Sequence, residues 1–349
     1  MTLVLAGLTL AVFLSAWWLT GRVRRYAVAS RLIDVPNARS SHVLATPRGG
    51  GVAIVLAVLA GLMVARMLGA TSWPLIAGLA GSGALVAGVG FADDHGHVAR
   101  RWRLLAHGMA AAWVLVWVGG LPPLPIIGHV VTAGWIASGL AGIYIVWLIN
   151  LTNFMDGIDG LAAVEVITVC ISGALLHLMV APGALQWIPP LLLAAGAGGF
   201  LVWNWPPARI FMGDAGSGFL GVMLAGLSVQ AAWVSPRLFW SWLILLGVFI
   251  VDATFTLLRR VLRGDAFYDA HRTHAYQHAA QVWGSHKAVT VAVATINLAW
   301  LMPLAIMATW NDVSGLPAVL TAYAPLVVAE VWLGAGLEQS PPDSLNTHI

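Results

Sequence analysis

Two aspartates stand side by side in Phe91-Ala92-Asp93-Asp94, directly after a long apolar run. Adjacent carboxylates at a helix end repel each other unless a cation or a proton relieves them. The pairing suits phosphate chemistry: one acid accepts a proton from, or orients, a phosphate nucleophile while the other supports a metal or a basic partner. A solvated helix terminus is the plain alternative. Further along, Asn150-Leu151-Thr152-Asn153-Phe154-Met155-Asp156-Gly157-Ile158-Asp159-Gly160 carries two Asp-Gly steps. Such steps turn the backbone tightly and present oxygen ligands without obstruction. Asn and Asp oxygens are hard ligands that suit Mg²⁺, with Mn²⁺ as a substitute, better than zinc or copper. An ordinary turn between two helices needs fewer oxygen-bearing side chains than this one has.

Three other polar segments could share that chemistry. Arg209-Ile210-Phe211-Met212-Gly213-Asp214-Ala215-Gly216-Ser217-Gly218 runs into an apolar helix, whose first N–H groups, approached closely past Gly213 and Ser217, would cradle an anion. Asp214 there would repel a bare phosphate but hold a phosphate-bound cation. A plain cap is the simpler reading. In Asp269-Ala270-His271-Arg272-Thr273-His274-Ala275-Tyr276-Gln277-His278, a helix would put His271, His274 and His278 on one face. Zinc is disfavoured by the adjacent Arg272 and leaves the distant acids unexplained, whereas Arg272 with the histidines suits a diphosphate. The first polar segment, from Asp34-Val35-Pro36-Asn37 to Arg48-Gly49-Gly50-Gly51, mixes turn formers with basic residues. It would cover a site or touch lipid headgroups, with Arg48 as a candidate substrate contact, or its arginines only fix topology.

These segments need elements to position them, and composition says what kind. Of 349 residues, 60% are hydrophobic and 9% charged, which fits lipid and not a solvated globule. Apolar segments at about 2–20, 50–68, 73–91, 103–119, 134–150, 161–181, 187–203, 216–233, 238–258, 288–309 and 314–334 predict an all-α polytopic bundle of about eleven transmembrane helices. It is read as one domain over residues 1–337, followed by a polar tail at 338–349 that is expected to be disordered. Eighteen Trp residues, many near the ends of these runs, read as interfacial belts. The first run has no positive charge before it and its arginines follow it, so it reads as a retained span and not a signal peptide. Cys170 is the single cysteine, which leaves no intrachain disulfide.

Taking the loops alternately, fifteen of the seventeen basic residues fall on one side, leaving Arg66 and Arg237 on the other. The positive-inside rule then puts the amino terminus in the periplasm and the carboxyl terminus in the cytoplasm of a bacterial inner membrane. Asp34, Asp93, Asp94, Asp156, Asp159, Asp214, Asp265 and Asp269 share the basic side, so one cytoplasm-facing site is expected. The pI near 9.4 comes from these loop arginines and implies no nucleic acid. Within the spans, Asp252 stands two turns before Arg259 and Arg260 and could pair with them. Glu165 and Glu330 read as structural acids.

Taken in order, the five loops resemble those of the polyprenyl-phosphate N-acetylhexosamine-1-phosphate transferase family, which includes the peptidoglycan lipid I translocase and the initiators of O-antigen and enterobacterial common antigen. The resemblance rests on Asp34-Val35-Pro36-Asn37, Asp93-Asp94, Asn153 to Leu161, Phe211 to Ser217 and the histidine-bearing last loop. It implies that Asn153 and Asp214 contact Mg²⁺ and that Asp93 and Asp94 lie near a lipid-phosphate nucleophile. It further implies that Asp156 and Asp159 shape a nucleotide site and that His271, Arg272 and His274 touch sugar or diphosphate. The implied partners are undecaprenyl phosphate, a UDP-N-acetylhexosamine and membrane lipids, and a homodimer is admitted. In the implied reaction the lipid phosphate attacks the β-phosphorus directly and UMP leaves, with a covalent phospho-Asp93 route left open. The last loop reads His-Arg-Thr-His where the translocase has a run of histidines. That departure points to the O-antigen-initiating branch and a 6-deoxy-N-acetylhexosamine, with N-acetylglucosamine next. A transporter with carboxylates on its cytoplasmic face, and a membrane nucleotidyltransferase, are the rival readings; the first would spread polar groups through the spans.

Overall fold

The computed structural model describes residues 2–36, 44–126, 129–131, 134–265, 272–310 and 315–338. Its helices are α1 (Thr2–Ala29), α2 (Gly51–Met67), α3 (Trp73–His95), α4 (Arg100–Val118), α5 (Gly134–Phe154), α6 (Leu161–Val180), α7 (Ile188–Asn204), α8 (Asp214–Val234), α9 (Pro236–Leu245), α10 (Gly247–Leu262), α11 (Ala275–Trp283), α12 (His286–Ile296), α13 (Met302–Trp310) and α14 (Gly315–Leu333). Two short antiparallel ribbons complete the described elements. One pairs β1 (Ile33–Asp34) with β2 (Thr46–Pro47), and the other pairs β3 (Leu124–Ile126) with β4 (His129–Val131). Asn37, Arg39, Asp269, His271 and Asp312, together with residues 339–349 of the tail, lie outside the described residues.

The chain is an all-α membrane protein, and each of the eleven predicted segments is helical. Seven helices are long and apolar enough to cross a membrane: α1, α3, α5, α6, α8, the run His286–Trp310 and α14. The α9–α10 pair would be an eighth, bent by 67°. The remaining three fall short for identifiable reasons. With 17 residues each, α2 and α7 are below the roughly 20 needed for a perpendicular span, and α4 opens on Arg100, Arg101 and Arg103. Two internal breaks went unpredicted. The 67° bend falls where α9 hands over to Gly247, a residue type common at sharp kinks. The run His286–Trp310 carries a π-helical turn, Asn297–Leu301, in which Asn297 Nδ2 donates to Glu165 Oε2 at 2.7 Å and to Thr168 Oγ1 at 2.8 Å. Glu165 is thus a buried structural acid, as its sequence position suggested.

The central strut is α8, 83% of whose span window is buried inside the protein. It packs against α3 and α5, while α1, α2 and α7 form a neighbouring group with α6 alongside. In lipid there is no hydrophobic drive between helices, so association depends on close van der Waals packing and hydrogen bonds. Gly90 shows how close: a Cβ there would lie 2.5 Å from the Asp214 carbonyl carbon. A side chain would push the end of α3 off the start of α8.

Candidate active site

Because successive long helices run antiparallel, the ends of α3, α5 and α7 meet the starts of α4, α6 and α8. All five sequence-predicted loops gather at that end, to the extent that they are described. The first loop is fixed to the fourth by backbone: Phe211 N–H donates to Pro47 O at 2.8 Å, Gly50 N–H to Phe211 O at 2.9 Å and Gly51 N–H to Met212 O at 2.8 Å. Arg48 then reaches the end of α3 and donates to the Asp94 carbonyl oxygen.

The centre of the site is a group of two carboxylates, a guanidinium and an amide. Arg103 stands between Asp93 and Asp214, with Nη1 2.6 Å from Asp93 Oδ2 and 3.4 Å from Asp214 Oδ2. Asp93 also accepts from the Val98 N–H at 2.8 Å. Asn153, in the last turn of α5, donates from Nδ2 to Asp214 Oδ1 and to Ser217 Oγ, each at 2.9 Å. A narrow cleft opens here, lined by Arg103, His107, Asn153 and Asp214 and floored by Val86 and Ile149.

The anion cradle expected at Gly213–Gly218 is filled by the protein's own carboxylate. Asp94, buried at the end of α3, accepts from the N–H groups of Asp214 at 3.1 Å and Ala215 at 3.2 Å. The next two N–H groups, of Gly216 and Ser217, turn back to Gly213 O at 3.1 Å. A negative side chain at a helix N-terminus satisfies orphan donors and the helix dipole together. Asp94 and Ser217 therefore lock α8 in place, which leaves Asp93, Asp214 and Asn153 for chemistry.

Asp156 and Asp159 divide in the same way. Asp156 is half-buried in the α5–α6 turn, where burial and then the charges of Asp214, Asp94 and Asp159 hold its carboxyl well above the usual carboxylate range. Asp159 is tied down: its Oδ2 accepts from Ala208 N–H at 3.0 Å and its Oδ1 lies 3.4 Å from His286 Nδ1. Its carbonyl also accepts from Thr290 Oγ1 at 2.9 Å. It joins the third loop to the fourth loop and to the start of α12.

Of the three histidines that a helix would put on one face, His271 lies outside the described residues, and the other two part company. Helix starts only at Ala275, with His274 as its cap. His274 is buried, its Nδ1 2.9 Å from Asp252 Oδ1, and His278 Nδ1 lies 2.9 Å from Leu333 O. Two histidines with different partners do not make a zinc site. Asp252 is not paired with Arg259 or Arg260 as its spacing suggested. Instead it accepts from Thr256 Oγ1, Ala275 N–H and Tyr276 N–H at 3.2, 3.2 and 3.0 Å. It thereby seats α11 against the third loop, where Tyr276 Oη donates to Phe154 O at 2.8 Å. Gly157 is required by that docking, since a Cβ there would come within 2.1 Å of Tyr276 Oη. Sequence reasoning missed Arg103 as the central cation and missed Tyr276 and His286. Arg103 lies in a cluster with Arg100 and Arg101, and sequence alone pointed to the three together as attracting a lipid phosphate, without singling one out.

The donor set fits a magnesium ion as far as chemistry goes, offering hard oxygens from Asp93, Asp214 and Asn153. Among the described residues no three His, Cys, Asp or Glu form a ready-made metal cage. Mg²⁺ seldom needs one, since it takes one or two carboxylates and completes its shell with water and substrate phosphate.

These features define a polytopic membrane protein whose acids converge at one end of its helices. The chain belongs to glycosyl transferase family 4, whose profile matches residues 76–232. It is 31% identical over 327 residues to the decaprenyl-phosphate N-acetylglucosaminephosphotransferase of Mycobacterium leprae, covering 83% of this chain and 80% of that protein. It is 30% identical over 285 residues to the "probable undecaprenyl-phosphate N-acetylglucosaminyl 1-phosphate transferase" of Bacillus subtilis, covering 80% and 78%. A phospho-N-acetylmuramoyl-pentapeptide-transferase of Rhodopseudomonas palustris is 33% identical over 260 residues, covering 63% and 69%.

Proposed function

We propose that this protein transfers an N-acetylhexosamine-1-phosphate from a UDP-sugar to undecaprenyl phosphate, giving the undecaprenyl-diphosphate sugar and UMP. The reaction is placed at the cytoplasmic face of a bacterial inner membrane and starts O-antigen or a related envelope polysaccharide. The observation that carries this reading is the convergence of Asp214, Asn153 and Arg103 from separate elements onto one cleft, with Asp93 paired to Arg103 beside it. The names of the relatives supply the reaction class, and they put N-acetylglucosamine ahead of a 6-deoxy sugar as the first donor to test.

In this reading Asp214 and Asn153 would hold a magnesium ion that carries the donor diphosphate, with the Asp156 carboxyl nearby. Magnesium, when bound, neutralises the diphosphate and the charge that develops on transfer. Asp93 orients the lipid phosphate and takes up its proton if it arrives protonated. A lipid-phosphate oxygen bonds to the β-phosphorus, the bond from that phosphorus to the bridging oxygen breaks, and UMP leaves with the electron pair. Arg103, already between Asp93 and Asp214, follows the phosphate oxygens, and Arg272 grips the diphosphate from the last loop. Asp94, Asp159 and Ser217 hold the frame, and His274 with Asp252 seats the start of α11 against the third loop.

A transfer assay tests the reading with purified protein, undecaprenyl phosphate, Mg²⁺ and a panel of UDP-N-acetylglucosamine, UDP-6-deoxy-N-acetylhexosamines and UDP-N-acetylmuramoyl-pentapeptide. Release of UMP with lipid-diphosphate sugar, lost on adding EDTA, is expected. Full turnover in metal-free buffer would remove the metal assignment, and no UMP from any donor would remove the reaction.

A further inference from the structure

A second cavity lies at the other end of α8. It measures about 490 Å³, within the range of small-molecule sites, and is formed where the α2–α3 and α6–α7 connections meet the ends of α4 and α8. Gln230 stands about 24 Å along α8 from Asp214 at 1.5 Å per residue, so this cavity is separate from the carboxylate site. Its walls include Thr71, Gln186, Gln230, Trp117 and Trp233. Trp233 is fixed there, its Nε1 donating to Gly120 O at 3.0 Å.

Three polar atoms at this cavity are left unsatisfied: Thr71 Oγ1, Gln186 Oε1 and Gln230 Oε1 are each buried without a hydrogen-bond partner. Buried polar groups are nearly always paired, and each one left alone is costly. Three residues lining one cavity, from three different parts of the chain, each carry such an atom, and together they signal a partner that the chain itself does not provide. Each glutamine reaches the cavity by rotation about its terminal torsion, which is soft and roughly two-fold.

The lining also defines the partner's chemistry. No charged side chain lines the cavity, so an ammonium would find no carboxylate and a phosphate no guanidinium. Amide oxygens call for donors, a threonine hydroxyl pairs with another hydroxyl in either sense, and flat tryptophan faces suit the C–H face of a ring. We propose that this cavity binds a neutral, hydroxyl-rich group, a glycosyl headgroup or free sugar, on the membrane face opposite the carboxylates.

The test uses the full-length chain in nanodiscs containing equal amounts of glucosyl diacylglycerol, phosphatidylethanolamine and phosphatidylglycerol, released into native mass spectrometry. Glucosyl diacylglycerol should be retained over phosphatidylethanolamine by about tenfold, and Gln186→Leu/Gln230→Leu should erase that preference, as expected for the loss of two hydrogen bonds. A second arm adds methyl β-glucoside to protein in lipid without glycolipid. If the soluble sugar raises the melting temperature of the wild type and not of the double variant, while glycolipid shows no preference, the ligand is a free sugar and the site stands. Equal retention of all three lipids with no response to methyl glucoside would mean that water alone fills the cavity, and it overturns the proposal. So would a double variant that still prefers glycolipid. Should that variant fail to fold, Thr71→Val serves instead: it must weaken retention while leaving sugar-phosphate transfer unchanged, and unaltered retention counts against the site.

Discussion

Asp252 and Asp93 are both acids at the margin of the membrane, yet they are held in opposite ways. Asp252 sits in a finished hydrogen-bond shell made of His274, Thr256 and two backbone N–H groups. Asp93 shares the Arg103 guanidinium with Asp214 and takes the Val98 N–H besides, while the amide of Asn153 holds Asp214 alone of the two. A satisfied acid fixes a fold, whereas a crowded one waits for a cation or a phosphate. By this criterion Asp94 and Asp159 side with Asp252, and Asp156 sides with Asp93.

The comparison breaks most directly at the crowded cluster. Asp93→Asn should lower transfer by about 10³-fold, with UDP-sugar affinity changed only a few-fold. Asp214→Asn should weaken Mg²⁺-dependent UDP-sugar binding itself. Calorimetry of both variants, beside their transfer rates, decides between them: loss of nucleotide binding in Asp93→Asn but not in Asp214→Asn reverses the two roles.

The satisfied acid should behave oppositely. Asp252→Ala leaves two backbone N–H groups, the Thr256 hydroxyl and the His274 ring without their shared acceptor, at a cost of about 3 kcal/mol. Thermal unfolding in detergent should show a marked loss of stability, while the fraction that stays folded keeps transfer within about tenfold of wild type. A variant as stable as wild type but inactive would move Asp252 into the chemistry.

A smaller effect probes the contact that joins the two regions. Gly157→Ala places a methyl against the Tyr276 hydroxyl, so α11 must lift from the third loop, and turnover should fall by about tenfold. Tyr276→Phe removes the opposing oxygen and should restore part of the rate in the double variant. An additive double-mutant cycle would mean that the two residues do not meet.

How much of this could be read beforehand depended on the kind of signal. Membrane helices were legible because apolar length is local, and the common face of Asp93, Asp156 and Asp214 followed from helix alternation alone. The division of labour among the acids was not. Asp94 and Asp214 are 120 residues apart, and nothing local says that one caps the helix the other begins. Asp252 was visible as an intramembrane acid, but i, i+7 spacing pointed to Arg259 because periodicity finds neighbours on one helix, and its actual partners lie across a loop on α11. The break at Gly247 was hidden by an apolar pattern that runs unbroken through it.

The finest test of the comparison is Asp156, whose titration records the crowding. Its carboxyl is held well above the usual carboxylate range, by burial first and by the charges of Asp214, Asp94 and Asp159 after that. The folded protein therefore binds this proton more tightly than the unfolded chain, whose aspartates titrate near 3.9. The stability linked to that proton is fully present below the unfolded value and is lost as pH rises through the folded one. At pH 8, without divalent metal, far above the unfolded-chain value, the cost of keeping this carboxyl in the fold opposes folding. Asp156→Asn should then raise the melting temperature, with the gain shrinking toward pH 4. Adding Mg²⁺ and UDP-sugar should narrow the gap at pH 8 as well, because a cation among these carboxylates lowers the penalty that the substitution removes. Melting curves of wild type and variant at both pH values, with and without Mg²⁺ and donor, give the comparison. A variant less stable than wild type at pH 8 would show that Asp156 is a satisfied acid and belongs with Asp252.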